Sequence, residues 1–505
     1  MGFLRKYFGI IVVLVLSFWA IKPLFVPGFF PMHDDTQVAR VFEMGKMLQS
    51  GMFPVRWVPD LGYGYGYPIF NFYAPLAYYV GGFFTLLGFD ALIATKIMML
   101  VVIILAGIFM YLLAREFWGE LGGIVSSLFY IYAPYHALDI YVRGDVAEVW
   151  AYGLIPLMFF GFYKLYQQLS IKNDLPPIIS NFKFQISNFY VWKWVVVGSL
   201  GYAGVILSHN LTAMMVTPFI TIVILLYCFI AYRNKKLFII YCLVFTILLG
   251  LMLSAFYWIP ALLEMKYTNV LSQIGGGADF RNHFICLGQL WDSQWGFGGS
   301  AQGCIDGLSF KIGKLHILLA LAAFLFGANQ FLKKKSEGTL IIGFSVLGLL
   351  VSVFLMLEIS KPVWEAIPAM AFFQYPWRFL LLVSFFSSLA CGSLVFFLTK
   401  FKVKPYFTAS VLVFFVLFFN TKLFAPQTIY QKTVADFTNE RALKWVASRT
   451  SDEFLPPDFK KPKSEHEIAE NPIPFEETNI QKVANLISLL GIVIMTVGII
   501  KLIRR

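Results

Sequence analysis

Two adjacent carboxylates, Asp34 and Asp35, follow His33 shortly after the first apolar segment of this 505-residue chain. A carboxylate placed at a substrate can take a proton from an acceptor hydroxyl, and a neighbouring acid drives one of the two pKa values up and the other down. Charged and polar side chains recur in other short clusters: Arg56, Arg143-Gly144-Asp145-Val146-Ala147-Glu148, Ser208-His209-Asn210, Arg281, and Gln374-Tyr375-Pro376-Trp377-Arg378. An acidic centre ringed by cations is the composition needed to deprotonate an acceptor and stabilise a departing phosphate. The planar donor fork of arginine suits such a phosphate. Each cluster also has a plainer reading. Asp34-Asp35-Thr36-Gln37 has the form of a capping box, with Asp34 accepting from early backbone N–H groups. Arg143 can pair locally with Asp145 or Glu148, His209 can bond between helices or reach a phosphate, acceptor or metal, and Arg378 can snorkel to an interface. Phosphate loops of the Walker type, dinucleotide fingerprints and zincin motifs are absent.

The elements that must position these residues are membrane helices. The chain is 59% hydrophobic and 13% charged, against about 25% charged in a soluble domain. Its apolar runs predict twelve spans, at 7–26, 91–113, 120–136, 148–166, 193–208, 211–232, 237–259, 313–332, 339–357, 376–399, 405–424 and 480–502. The first reads as a retained signal anchor behind Arg5-Lys6. With the N-terminus inside, lysine and arginine concentrate in short inner segments such as 233–236 and 333–335, as the positive-inside rule requires. The net charge of +12 is then a topology signal and does not point to a nucleic-acid surface. In this orientation His33, Asp34, Asp35, Arg56, Arg143, Asp145, Glu148, His209, Arg281 and Arg378 all fall on the outer face. The outer segments are 27–90, 137–147, 209–210, 260–312, 358–375 and 425–479, and 167–192 is an inner connector. Residues 35–50 carry Val38, Val41, Phe42, Gly45 and Leu48 on one helical face, with Arg40, Glu43 and Gln49 elsewhere, which predicts an amphipathic interfacial helix. The Gly62–Pro68 run of glycine and tyrosine lines a pocket or forms an interfacial aromatic belt. Cys228, Cys242 and Cys391 lie in spans, whereas Cys286 and Cys304 share an outer loop where a disulfide can form.

An acidic motif after the first span, an interfacial helix and then Gly51-x-Phe53-Pro54-x-Arg56-Trp57 together resemble the GT-C fold of polytopic glycosyltransferases. The layout is similar to that of aminoarabinose transferases and protein O-mannosyltransferases. A closer resemblance is to the bacterial membrane family labelled as related to 6-pyruvoyl-tetrahydropterin synthase, a label that implies no pterin chemistry. It covers about residues 1–400 and is carried by His33-Asp34, Pro54–Trp57, Asp60, Gly64–Pro68, Phe70–Tyr73, Pro75-Leu76, Arg143-Gly144, Glu148, Ser208–Asn210, Gln289-Leu290, Trp295-Gly296, Ser309-Phe310 and Phe373–Arg378. The resemblance implies transfer of a sugar from a polyprenyl-phosphate carrier with inversion. Asp34 takes the place of the acidic base, and Asp35 stands where many relatives have a second acid. A divalent metal (Mg or Mn) in such enzymes is held by acids of the first two outer loops, here Asp34, Asp145 and Glu148. The Asp145-x-x-Glu148 spacing departs from the Asp-x-Asp form. Relatives carry a larger outer domain near the C-terminus than 425–479 provides.

The expected protein is thus an all-α integral membrane enzyme of about twelve helices. Residues 1–424 form the catalytic domain with outer loops 27–90 and 260–312, 425–479 a short outer segment, and 480–505 a last helix with a basic inner tail. Asp34 and Asp35 are the expected catalytic pair, and His33, Arg56, Arg143, Asp145, Glu148, His209 and Arg378 the expected substrate contacts. The expected partners are a polyprenyl-phosphate sugar donor, membrane lipid and a glycan, lipid or protein acceptor of the cell envelope. The setting is the cytoplasmic membrane, with both termini inside and the site outside. A lipid or glycolipid transporter is the alternative, and it calls for charges near mid-span and two related halves.

Overall fold

Apolar sequence becomes helix along almost the whole chain. The computed structural model describes residues 2–171, 189–333 and 337–503, and only isolated bridges such as Phe29–Tyr430 interrupt the all-helical architecture among them. The inner connector expected at 167–192 lies largely outside the described residues, as do Lys334, Lys335, Arg504 and Arg505.

Among the described residues, 8 helices are long and apolar enough to cross a membrane, or up to 10 if each of two bent pairs is one span. The bends follow serine. Tyr7–Leu16 and Phe18–Phe25 meet at 41°, and Leu237–Leu253 and Ala255–Tyr267 at 69°. Ser17 and Ser254, at the two breaks, turn their hydroxyls back onto Leu14 O and Gly250 O, a bond that competes with the regular ladder and bends helices. Fewer spans emerge than the twelve expected, for two reasons. The segments expected at 91–113 and 120–136 count as one, Ala91–Ile131, yet the chain turns back at Gly119 (φ 72°, ψ −177°), and the two arms lie side by side, with Ser127 Oγ donating to Gly107 O at 2.7 Å. The segment expected at 313–332 offers only a shorter apolar helix, Lys314–Gln330.

Two compact units make up the chain. The first comprises Met1–Phe42, Leu87–Val149 and Val270–Asn439. Its axis is the helix Leu380–Thr399, which is buried along nearly its whole length and packs against Ala91–Ile131, Lys314–Lys333, Glu337–Met356 and Pro405–Asn420. Small residues allow the closest of these contacts. A Cβ at Gly392 would stand 2.1 Å from Ser126 Oγ and 2.4 Å from Gly122 O, the close backbone approach that drives helix association where lipid is as apolar as leucine. Cys286 and Cys304 are joined in a disulfide in the loop above, with Cα atoms 5.5 Å apart. Asp306 holds the same loop by accepting from Gln289, Ser293 and the Gln294 amide.

The second unit comprises Glu43–Leu86, Trp150–Asn269 and Glu440–Arg505. Here Phe189–Ser208, Asn210–Arg233, Leu237–Leu253 and Asn479–Ile503 pack together. The tyrosine-rich loop is covered by the C-terminal segment. Tyr63 stacks on Phe459, Trp57 on Phe475, and Tyr63 O and Tyr65 O accept from the Ala469 and Ile473 amides. A larger residue at Gly392 tests the helix contact of the first unit. Gly392→Val should lower stability by about 1–3 kcal/mol, read as a lower thermal midpoint in detergent, while Phe396→Leu at an exposed position of the same helix should leave it unchanged.

Candidate active site

The site is built where the chain passes between two helices. After Ala91–Ile131, Pro134 occupies the first turn of the short helix Pro134–Leu138, where its missing N–H costs nothing. A π-helical turn, Asp139–Arg143, follows directly and ends on Gly144. Gly144 has a φ of +67°, and a Cβ there would meet Met32 Sδ at 2.1 Å, so the position needs glycine twice over. Asp145 then caps Val146–Ile171, its Oδ1 accepting from the Glu148 amide at 3.0 Å.

The segment carrying the acidic pair is clasped to this turn. The His33 amide donates to Val142 O at 3.1 Å, and the Asp34 amide to Arg143 O at 2.9 Å. Gln37 Nε2 donates to Gly144 O at 2.8 Å. These bonds displace the capping box expected from the sequence. The helix begins at Gln37 (Gln37–Gln49), Gln37 is turned to Gly144, and the Asp34 carboxylate accepts no hydrogen bond among the described residues. The expected polar face of that helix is also enclosed, since Arg40 and Glu43 are both buried.

Around Asp34 lies a cluster of ions with almost no exposure: Arg143 5%, Asp145 3%, Glu148 0%, Asp139 1% and Arg378 8%. Arg143 donates to Asp145 Oδ2 at 2.9 Å and to Tyr135 Oη at 2.9 Å, lies 3.1 Å from Glu148 Oε2, and pairs with Asp139 one helical turn back. Arg378 donates to Glu148 Oε2 at 2.7 Å and to Asp145 Oδ2 at 3.4 Å. Tyr135 donates to the other Glu148 oxygen. The Trp377 ring is 4.9 Å from the Arg143 guanidinium and stacks on Tyr375. Arg378 Nε is buried and makes no hydrogen bond among the described residues.

Burial pushes the Asp34 carboxyl up to about 6; Asp145 adds to this, and Arg143, Arg40 and Arg378 oppose it. Asp35 is also raised by burial, with Lys432 opposing. Asp139 stands well above the usual carboxylate range, from burial first and then from Glu148. Burial works against the charge of Arg143, but Glu148, Tyr135, Asp139 and Asp145 outweigh it and raise its pKa. Two arginines thus face Asp139, Asp145 and Glu148, and the Asp34 carboxylate beside them accepts no hydrogen bond among the described residues.

Thus Asp34, Arg143, Asp145, Glu148 and Arg378 share one site, with Asp35 and His33 at its rim; His33 Nε2 lies 3.1 Å from Phe297 O. Arg281 is exposed and pairs with Asp279 and Glu365 at 3.3 and 3.2 Å instead. Arg56 and His209 belong to the second unit. Arg56 is buried and donates to Asn71 at 2.9 Å and Asn485 at 2.6 Å. His209 is the N-cap of Asn210–Arg233, accepting from the Thr212 amide. Tyr135, Asp139 and Trp377 are further members of the site. The first two stand eight and four residues before Arg143, the spacing at which a short helix and a π turn stack side chains.

The fold is similar to that of GT-C membrane glycosyltransferases. The oligosaccharyltransferase of Archaeoglobus fulgidus in its apo form superposes with a TM-score of 0.54 at 13% identity, covering 97% of this chain and 65% of that one. The same organism's AglB in complex with an inhibitory peptide and a dolichol-phosphate gives 0.51 at 11% identity, covering 97% and 64%. The chain therefore spans just under two thirds of the length of these enzymes. No protein-family model matches it and no curated protein sequence does, so the closer family resemblance drawn from its motifs finds no support beyond the shared fold.

Gly144→Ala tests how the turn positions the site. The left-handed conformation costs an alanine about 1–2 kcal/mol before the Met32 contact is counted, so a lower thermal midpoint is expected. Met32→Ala in the same chain should restore part of it.

Proposed function

We propose that this protein is a membrane glycosyltransferase that moves a sugar from a polyprenyl-phosphate donor to an acceptor hydroxyl or other nucleophile, with inversion. One observation carries the reading: an unengaged, half-buried Asp34 carboxylate lies among arginines, one of which keeps a free donor at Nε. Asp34 is the general base. It removes the acceptor's proton as the acceptor oxygen bonds to the sugar's anomeric carbon. The bond from that carbon to the phosphate oxygen breaks, and its electron pair leaves with the polyprenyl phosphate. Arg143 and Arg378 hold that phosphate, and charge-assisted bonds of this kind strengthen as negative charge develops on it. Asp145 and Glu148 aim the two guanidinium groups, and Asp35 and His33 orient Asp34. The many membrane helices accommodate the donor's hydrocarbon tail.

Asp145 and Glu148 could take part in holding a divalent cation such as Mg or Mn, which would add charge stabilisation at the departing phosphate. Asp34 does not share an ion-sized space with them among the described residues, and their oxygens are engaged by Arg143, Arg378, Tyr135 and the Glu148 amide, so no step is routed through a metal. Arg56 and His209 are given no step. The setting we propose is the cytoplasmic membrane with both termini inside and Asp34 outside, where soluble nucleotide sugars are not normally available and a lipid-linked donor is. The acceptor is a glycan, lipid or protein of the cell envelope. The dolichol-phosphate and peptide in the archaeal AglB structure make a lipid-phosphate donor and a surface acceptor natural candidates for a protein of the same fold.

Purified protein and a labelled polyprenyl-phosphate sugar test this. Asp34→Asn should lower transfer by roughly 10²–10⁴-fold without changing expression or thermal midpoint. Retained transfer would remove Asp34 from the chemistry. The base must be ionised, and its pKa lies near 6. Activity should therefore fall about tenfold per pH unit below that value and level off above it. Asp145→Asn removes a repulsion that raises Asp34, so whatever activity it keeps should have its acid limb moved to lower pH.

A further inference from the structure

A cavity in the first unit, of about 630 Å³, lies at the end of the first membrane segment. One wall is apolar and comes from a membrane helix: Leu92, Ile93, Ile97 and Leu100, with Phe25 and Val434 beside them. Phe25 and Ile93 are 63% and 44% exposed, so this wall is open at the surface of a candidate span. Two lysines, Lys96 and Lys432, line the same cavity. Neither forms an ion pair with an acid among the described residues. Lys96 donates to Val26 O at 2.6 Å, which draws its ammonium to the cavity wall and leaves two of its three protons without a partner. Lys432 lies over the Tyr430 and Phe437 rings at 5.8 and 5.0 Å. Asp90 is the one acid in the lining, and its Oδ1 is engaged in capping the helix at the Ile93 amide, 2.8 Å away.

Asp90 faces Lys96, and Asp35 and Asp436 face Lys432, but none of the three is in an ion pair with its lysine among the described residues. A cation near the end of a candidate span marks a binding site or a charged partner. Here two cations converge on one apolar-walled cavity. Water alone would satisfy the ammonium groups without calling for the wall. A free anion would satisfy them and leave the wall wet. A ligand with an anionic head and a hydrocarbon tail satisfies both. We propose that this cavity binds an anionic glycerophospholipid, its phosphate between Lys96 and Lys432 and the upper part of an acyl chain along Leu92, Ile93, Ile97 and Leu100. The cavity shares no lining residue with the Asp34 cluster, although Lys432 also faces Asp35, and the binding proposed does not depend on the transfer reaction.

Native mass spectrometry of the full chain, titrated in detergent with phosphatidylglycerol, phosphatidylcholine or inorganic phosphate, tests it. Phosphatidylglycerol should be retained in preference to phosphatidylcholine, and inorganic phosphate should not displace it. Each lysine near a membrane surface is worth about 1 kcal/mol toward an anionic lipid, so Lys96→Gln with Lys432→Gln should weaken phosphatidylglycerol binding by about thirtyfold. If that pair does not fold, Lys432→Gln alone, at an exposed position, should still weaken it by about fivefold. Lys400→Gln, a lysine outside the cavity, should have no effect. Equal retention of the two lipids, unchanged affinity in the lysine variants, or displacement by inorganic phosphate would each overturn the proposal.

Discussion

The buried pairing of Arg143 and Arg378 with Asp145 and Glu148 is the constraint on which the rest of the first unit depends. Ions removed from water cost several kcal/mol each unless geometry and further hydrogen bonds compensate them. Here every side-chain oxygen of Asp145 and Glu148 is engaged, by a guanidinium, a phenol or a backbone amide. Such a cluster tolerates little displacement, because separating any pair strands a charge out of reach of water. It therefore fixes the relation of three stretches far apart in sequence: the turn after Ala91–Ile131, the start of Val146–Ile171 and the start of the helix ending at Thr399.

Asp34 is held to this cluster by main chain rather than by its own carboxylate. The amides of His33 and Asp34 bond the carbonyls of Val142 and Arg143, and Gln37 bonds that of Gly144. The carboxylate is left for other work, near enough to Asp145 and the arginines for all of them to move its pKa. The second unit uses a comparable device. Buried Arg56 bonds Asn71 and Asn485, and Asn71 and Gln481 both donate to Glu264. This network ties the loop before Tyr73 to the C-terminal helix Asn479–Ile503.

Hydropathy and charge made the helical membrane architecture legible, and the residue types at Asp34, Arg143, Asp145, Glu148 and Arg378 announced a site before any of them had a position. Arg56 and His209, read on the same outer face, belong to the second unit, where Arg56 bonds Asn71 and Asn485 and His209 caps its helix. Asp139 escaped notice because a lone acid in a short turn carries no signal until the π turn sets it against Arg143. The capping-box pattern at Asp34–Gln37 was real as local chemistry, but a tertiary acceptor, Gly144 O, took the glutamine. The two apolar segments read on either side of Gly119 lie side by side, the chain turning back at that glycine.

The central claim is that the arginines of the cluster hold a lipid-linked phosphate while Asp34 acts on the acceptor. Equilibrium binding of a polyprenyl phosphate without its sugar, measured on wild-type protein, Arg378→Gln and Asp34→Asn, separates the two roles. The predicted result is affinity weakened about tenfold or more by Arg378→Gln, the scale of a lost charge-assisted contact, and undiminished by Asp34→Asn. Equal affinity in wild type and Arg378→Gln would contradict the assignment.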